Sequence, residues 1–289
     1  MLKKRINKKF LVILWLIFIL QPVFLYGQTN DLFSALDRMF NEAEYTPTPE
    51  DEYYLGRAVA ANILAAYEPY TGNPELTDYL NLICQVLVVN SSRQAAYNGY
   101  HVMILDSLEF NAFATPGGHI FISRRLVETA SSEDALAGII AHELAHIMLR
   151  HGMKMIDDMK IAEEIDAMAQ QAAAFTGNSN MRIFSFRNSV NEFFYLLVRN
   201  GYSAEQEFEA DTFAVELLAS AGYSPVGLLE MLNNLQRIQH TQRGGFNSTH
   251  PSPARRITNI ERQLSGCRLN DTGSVRQDRF LRIMERESQ

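Results

Sequence analysis

His142-Glu143-Leu144-Ala145-His146 places two imidazoles four residues apart, with a carboxylate beside the first. The spacing serves a metal in a helix. At 3.6 residues per turn, side chains at i and i+4 share one face and both rings reach a single ion. Glu143 falls at the edge of that face, close to the ion yet available as a base, the arrangement of a metallopeptidase site. The flanking residues supply the helix. Ser131-Ser132-Glu133-Asp134 offers N-cap hydroxyls and first-turn acids, and the run from Ala135 to Leu149 has no proline or β-branched cluster. Gly152 is the expected stop. Leu136, Ile139, Ile140 and Ile147 surround the histidines and bury the helix. The bland alternative is a core helix with two satisfied histidines, and a third ligand separates the two readings.

Catalytic zinc takes three protein ligands and leaves one position to water, so a second helix should bring a His, Asp or Glu. The candidate is Ser203-Ala204-Glu205-Gln206-Glu207-Phe208-Glu209-Ala210-Asp211. Ser203 with Gln206 reads as a capping box, and the apolar face continues through Phe213, Ala214, Leu217 and Leu218 to Gly222. Glu207 and Asp211 are i and i+4, so one can bind metal while the other holds a ligand histidine. Spacing alone leaves Glu205, Glu207 and Glu209 open as the ligand.

HELAH followed by Glu207-Phe208-Glu209-Ala210-Asp211 resembles metallopeptidase family 48, the relatives of HtpX and the CAAX prenyl endopeptidases. Asn111-Ala-Phe-Ala-Thr-Pro-Gly-Gly-His-Ile-Phe-Ile resembles the hairpin that precedes the catalytic helix in that family. Ser248-Thr-His-Pro-Ser-Pro-Ala-Arg-Arg-Ile resembles the segment after its second ligand helix. The resemblance runs in order over about residues 50 to 265. It implies Glu207 as the third ligand, Asp211 behind a ligand histidine, and one Zn²⁺ per chain held by His142, His146 and Glu207. Glu143 is then the catalytic base of peptide-bond hydrolysis. It also implies a gluzincin-type domain whose substrate lies extended along an edge strand, with Asn111, Ala112, Phe113 and Ala114 as that edge. His250 matches a loop histidine that in some periplasmic relatives takes the water position on zinc, so a self-inhibited latch is expected. No hydrophobic run beyond the N-terminus approaches spanning length. That sets the chain apart from the membrane-embedded members and with the soluble periplasmic branch, which is implicated in envelope protein quality control.

Residues 1–27 read as a signal peptide or N-terminal anchor: Lys3, Lys4, Arg5, Lys8 and Lys9, then an apolar run from Phe10 to Leu20. Cleavage after Gly27 is preferred, and export to the periplasm or cell envelope of a bacterium is expected. Residues 28–50, with Pro47 and Pro49, form a leader; residues 51–265 form the peptidase domain; residues 266–289 form a C-terminal tail. Without residues 1–27 the chain carries 21 basic against 33 acidic residues, a net charge of −12. An acidic surface argues against nucleic acid or anionic lipid as a partner. The expected partners are unfolded or extended polypeptides and the envelope assembly machinery, with membrane contact only through an uncleaved N-terminus.

Helices are expected over Asp51 to Tyr67 and Pro74 to Val88. The period then changes to two over Tyr100 to Asp106, Glu109 to Thr115 and His119 to Ser123, an antiparallel meander with its last turn at Pro116-Gly117-Gly118. Ser224-Pro225 and Ser252-Pro253 open two further helices. The fold class is therefore α+β, mostly helical, with a small antiparallel sheet beside the catalytic helix. Six of the 11 methionines fall between Met148 and Met181, suiting either a lid or ordinary packing. Cys84 and Cys267 permit a disulfide after export, although the apolar run around Cys84 suits a buried thiol equally. His151, five residues past the motif, points off the ligand face and reads as structural. The competing function is a chaperone-like binder of extended chains on a zinc-stabilised fold; Glu143 argues against it, because a binder needs no base.

Overall fold

A computed structural model describes residues 46–93, 96–158, 190–198 apart from 192, 201–239, 253–265 and 273–287. In chain order the elements are α1 (Pro49–Ala66), α2 (Pro74–Val89), β1 (His101–Leu105), β2 (Ala112–Thr115), β3 (His119–Ser123) and α3 (Arg124–Thr129). They continue with α4 (Glu133–Met148), α5 (His151–Asp158), α6 (Ala204–Ser220), α7 (Val226–Gln239), α8 (Pro253–Leu264) and α9 (Gly273–Glu287). The chemistry of each start is visible. Thr48 and Asp51 form a capping box at α1, Asn73 caps α2, and Ser132 accepts from the Ala135 N–H at α4. The expected box of Ser203 and Gln206 is formed at α6.

The sheet is mixed, not antiparallel as expected. Its order is β1-β3-β2: β2 and β3 form an antiparallel hairpin, whereas β1 and β3 run parallel with His101 opposite His119. The chain leaves β1, returns one strand-width further out as β2, and fills the intervening slot with β3. Alternation in a strand says which face a side chain takes, not which way the strand runs, so the direction was not written in the periodicity. That same alternation splits the core in two. Val102, Ile104, Ala112, Ala114, Ile120 and Ile122 face the larger cluster with α2, α4, α6 and α7. Leu105, Phe113 and Phe121 face a smaller one with α1, Met153, Phe193 and Leu197. Both faces are covered, which is why every residue of β2 is buried.

α4 is the axis of the domain. It packs against α6 and α7, and Gly138 and Gly227 allow the closest crossing: a Cβ on Gly138 would lie 2.8 Å from Leu228 Cα, and one on Gly227 2.1 Å from the Asp134 carbonyl oxygen. Its first turn is pinned by Glu133, which is 1% exposed and accepts from Tyr79 Oη (2.6 Å), Tyr223 Oη (3.1 Å) and Arg279 Nε (2.7 Å). Arg279 belongs to α9, so residues 273–287 of the expected tail form a helix packed onto the domain, with Phe280 in the larger core. The end of α4 also differs from expectation. Arg150 turns the chain at φ 58°, and Gly152 lies inside α5 instead of stopping α4.

Of the remaining expectations, Cys84 is a free, buried thiol whose pKa burial pushes up to about 12; Cys267 lies outside the described residues. Met148 packs in the larger core and Met153 and Met155 in the smaller one; Met159, Met168 and Met181, like residues 1–27, lie outside the described residues. Among the described residues no helix is long and apolar enough to cross a membrane.

Candidate metal centre

His142 and His146 project from α4, and Glu207 from the first turn of α6, into one buried point. His142 Nε2 and His146 Nε2 are 3.1 Å apart; Glu207 Oε2 is 3.4 Å from the first and Glu207 Oε1 is 3.3 Å from the second. Glu207 is 0% exposed, whereas Glu209 is half-exposed and pairs with His151 and Lys154, and Glu205 is exposed. Burial thus separates the three glutamates that spacing left open. Glu143 follows His142 on the same turn and is 1% exposed.

Behind the donors stands a charged scaffold. Asp211 Oδ1 is 3.1 Å from His142 Nδ1. Arg256, on α8 and 1% exposed, reaches the same carboxylate twice: Nη2 donates to Oδ1 at 2.6 Å and Nε to Oδ2 at 2.8 Å. Its Nη1 is 3.1 Å from Glu207 Oε2. The pair therefore ties α8 to α6 and aims a ligand histidine from α4. On the other side Tyr202 stacks on His146, with ring centroids 4.0 Å apart and planes at 14°, and donates from Oη to the Ala114 carbonyl at 3.2 Å.

The titration of these groups follows from the charges. Burial pushes His142 down, as does the Arg256 cation, but Glu207 and Asp211 outweigh them and lift it to about 9. His146 lies well below the usual histidine range because burial dominates. For Asp211 burial acts upward and the Arg256 guanidinium overrides it, holding the carboxyl at about 2. Without a metal, the donor set thus retains a proton on His142.

The donors fit zinc. Tetrahedral bonds of about 2.0–2.1 Å put ligand atoms about 3.3 Å apart, and the three donors are spaced 3.1–3.4 Å. Two imidazoles and a carboxylate also form a catalytic zinc donor set. Among the described residues this is the one group of three or more His, Cys, Asp or Glu able to hold an ion. Three buried carboxylates (Glu143, Glu207, Asp211) against one buried guanidinium leave two formal negative charges, which a divalent cation balances.

Residues 74–264 match the profile of Peptidase family M48. The chain belongs to that family. M48 metallopeptidases are zinc-dependent, in keeping with the donor set just described. The chain is 21% identical over 277 residues to a beta-barrel assembly-enhancing protease of Yersinia pestis, covering 91% of this chain and 54% of that one. It is 28% identical over 193 residues to the metalloprotease LoiP of Escherichia coli K12, covering 67% and 72%. Over 157 residues it is 29% identical to a mitochondrial metalloendopeptidase of Schizosaccharomyces pombe, covering 53% and 43%. The chain spans about half the length of the assembly-enhancing proteases it matches (54% and 41%).

The fold brings His142, Glu143, His146, Glu207 and Asp211 together. Ala112, Phe113 and Ala114 fall in β2, the outer strand beside β3, with Asn111 just before it. His250 lies outside the described residues. His151 carries no donor atom of the group, yet its ring is buried against His146, with Nδ1 atoms 2.9 Å apart, and its Nε2 is 3.1 Å from Glu209. The left-handed turn at Arg150 swings it back, which helical periodicity does not anticipate. Sequence reasoning missed Arg256 and Tyr202. A signal for Arg256 exists: it stands four residues before buried Ile260, on the apolar face of α8. Tyr202, a large aromatic directly before the N-cap Ser203, carries no comparable mark.

Proposed function

We propose that the chain is a zinc-dependent endopeptidase of the bacterial cell envelope that hydrolyses peptide bonds in unfolded or misfolded proteins. The observation that carries the reading is the buried His142, His146 and Glu207 triad with Glu143 on the same turn of α4. These three residues would hold one zinc ion, which when bound would supply a Lewis acid and a water acidified to near neutrality. Glu143 takes the water's proton and returns it to the leaving amine. Asp211 holds His142 in the orientation that presents Nε2, and Arg256 fixes Asp211. A small apolar cavity of about 20 Å³, walled by Ile139, Leu228, Met231 and Leu235, lies against His142, Glu143 and Arg256.

The substrate lies along β2, whose outer edge is buried in this structure, so the side chains that cover it, Tyr202 among them, give way to it. Ser123 N–H bonds the Asn111 carbonyl, so Asn111, Phe113 and Thr115 direct their main-chain groups at β3, while Ala112 and Ala114 direct theirs away. Main-chain pairing there is indifferent to side chains and demands an extended segment, which suits unfolded substrates. The basic-then-apolar N-terminus and the likeness to beta-barrel assembly-enhancing proteases support an envelope location and work beside the assembly machinery. The reading includes a latch: His250 stands six residues before Arg256 in the sequence and would be the residue that blocks the site in a self-inhibited state.

The test is digestion of casein, beside a tightly folded control protein, by the purified chain. Cleavage of casein alone, stopped by a chelator and restored by zinc, is the expected result. Indifference to the chelator, or equal cleavage of the folded control, would end the proposal.

A further inference from the structure

Tyr202 is 7% exposed and contributes two separable contacts. Its ring lies flat on His146 (4.0 Å, 14°), and its hydroxyl donates to the Ala114 carbonyl (3.2 Å). The strand register gives the second contact its meaning. With Asn111 bonded to Ser123, and Phe113 opposite Phe121, the Ala114 carbonyl points to the side of β2 away from β3. That is the side on which an added strand must pair. The hydroxyl therefore occupies an acceptor that an incoming main chain needs, and the same residue supports a metal donor.

We propose that Tyr202 is a positioning residue that couples strand addition at β2 to the metal centre: an extended polypeptide competes with its hydroxyl for the Ala114 carbonyl, and its ring, rigid with that hydroxyl, packs His146. The inference rests on the reading of β2 as the substrate edge. Its physical basis is competition for a buried acceptor. A buried carbonyl left without a donor is costly, so removal of the hydroxyl raises the free energy of the empty edge but not of the occupied one, where a substrate N–H replaces it. Substrate binding should then tighten on loss of the hydroxyl, opposite to the effect expected of a residue that merely maintains the fold. Loss of the ring acts elsewhere, at the imidazole. An outer partner that aims a ligand histidine commonly changes metal affinity by about tenfold or more.

The experiment uses the full chain carrying Glu143→Gln, so that nothing is consumed, with fluorescein-labelled β-casein as the probe. Fluorescence anisotropy gives its Kd, and competition with a zinc-binding dye gives metal affinity, for the parent, Tyr202→Phe and Tyr202→Leu. Tyr202→Phe should bind casein about twofold to tenfold more tightly and retain zinc like the parent. Tyr202→Leu should lose about tenfold in zinc affinity. Equal or weaker casein binding by Tyr202→Phe overturns the competition; parental zinc affinity in Tyr202→Leu overturns the support of His146. If Tyr202→Leu does not fold, weakened zinc binding in Tyr202→Phe counts against separable roles and unchanged binding supports them. If no variant binds casein although zinc binds normally, the substrate-edge reading itself fails and takes the hydroxyl role with it.

Discussion

Replacement of Arg256 by methionine removes one cation and leaves two buried carboxylates facing each other across its place. Asp211 accepts two short bonds from the guanidinium, at 2.6 and 2.8 Å, and Glu207 lies 3.1 Å from it. Both carboxylates are 0% exposed, so water does not take over. Breaking a buried pair by removing one partner costs about 3–5 kcal/mol, mostly from the charge left behind. At about 2–4 °C per kcal/mol for a domain of this size, Tm of the chelator-stripped protein should fall by roughly 6–20 °C. The assay is far-UV circular dichroism at pH 7 in excess chelator. Arg255→Met is the control, since its neighbour on α8 is exposed, and a surface substitution is worth within about 0.5 kcal/mol. Acid titration adds a second readout. The Asp211 carboxyl titrates at about 2 in the fold, below its ordinary 3.8. Its contribution is therefore present above the ordinary value and is lost as pH falls through about 2. In Arg256→Met that acid tolerance should shrink. Equal Tm values for the two arginine variants would refute the argument.

Other consequences follow from the same geometry. Asp211→Asn removes the carboxylate behind His142 and should weaken zinc binding by about 10- to 100-fold, measured by dye competition. His142 is lifted to about 9 and must be neutral to ligate. Zinc affinity should therefore rise about tenfold per pH unit between neutrality and pH 9, and a flat profile would show that no proton has to leave His142 over that range. The sign reverses for the metal-free protein: stability from the His142 proton is complete below its ordinary 6.5 and is lost as pH rises through about 9. His250→Ala should raise casein turnover severalfold, and unchanged turnover would dismiss the latch.

The elements that carry the chemistry were legible because each rests on a local rule. The i, i+4 histidines required a helix, Ser132 and Ser203 marked helix starts, and the apolar alternation of residues 101–123 marked strands. The choice of Glu207 was not local; it came from the family motif and agrees with the burial of that residue against the exposure of Glu205 and Glu209. What escaped depends on relations between distant segments. The parallel pairing of β1 with β3 is decided by where the hairpin docks. The burial of Arg256 is decided by two carboxylates 45 and 49 residues away in the chain. His151 is no donor, but its contact with His146 was not legible, because one residue, Arg150, adopts the left-handed conformation and folds the chain back on the helix it has just left.

The most direct test of the account is a paired measurement on Glu143→Gln: bound zinc by elemental analysis, and casein turnover beside the wild type. Because Glu143 is assigned to proton transfer and not to the metal, one zinc per chain should remain while turnover falls by about 10²- to 10⁴-fold. A variant that keeps wild-type turnover, or that loses its zinc, would contradict the assignment on which the proposed chemistry stands.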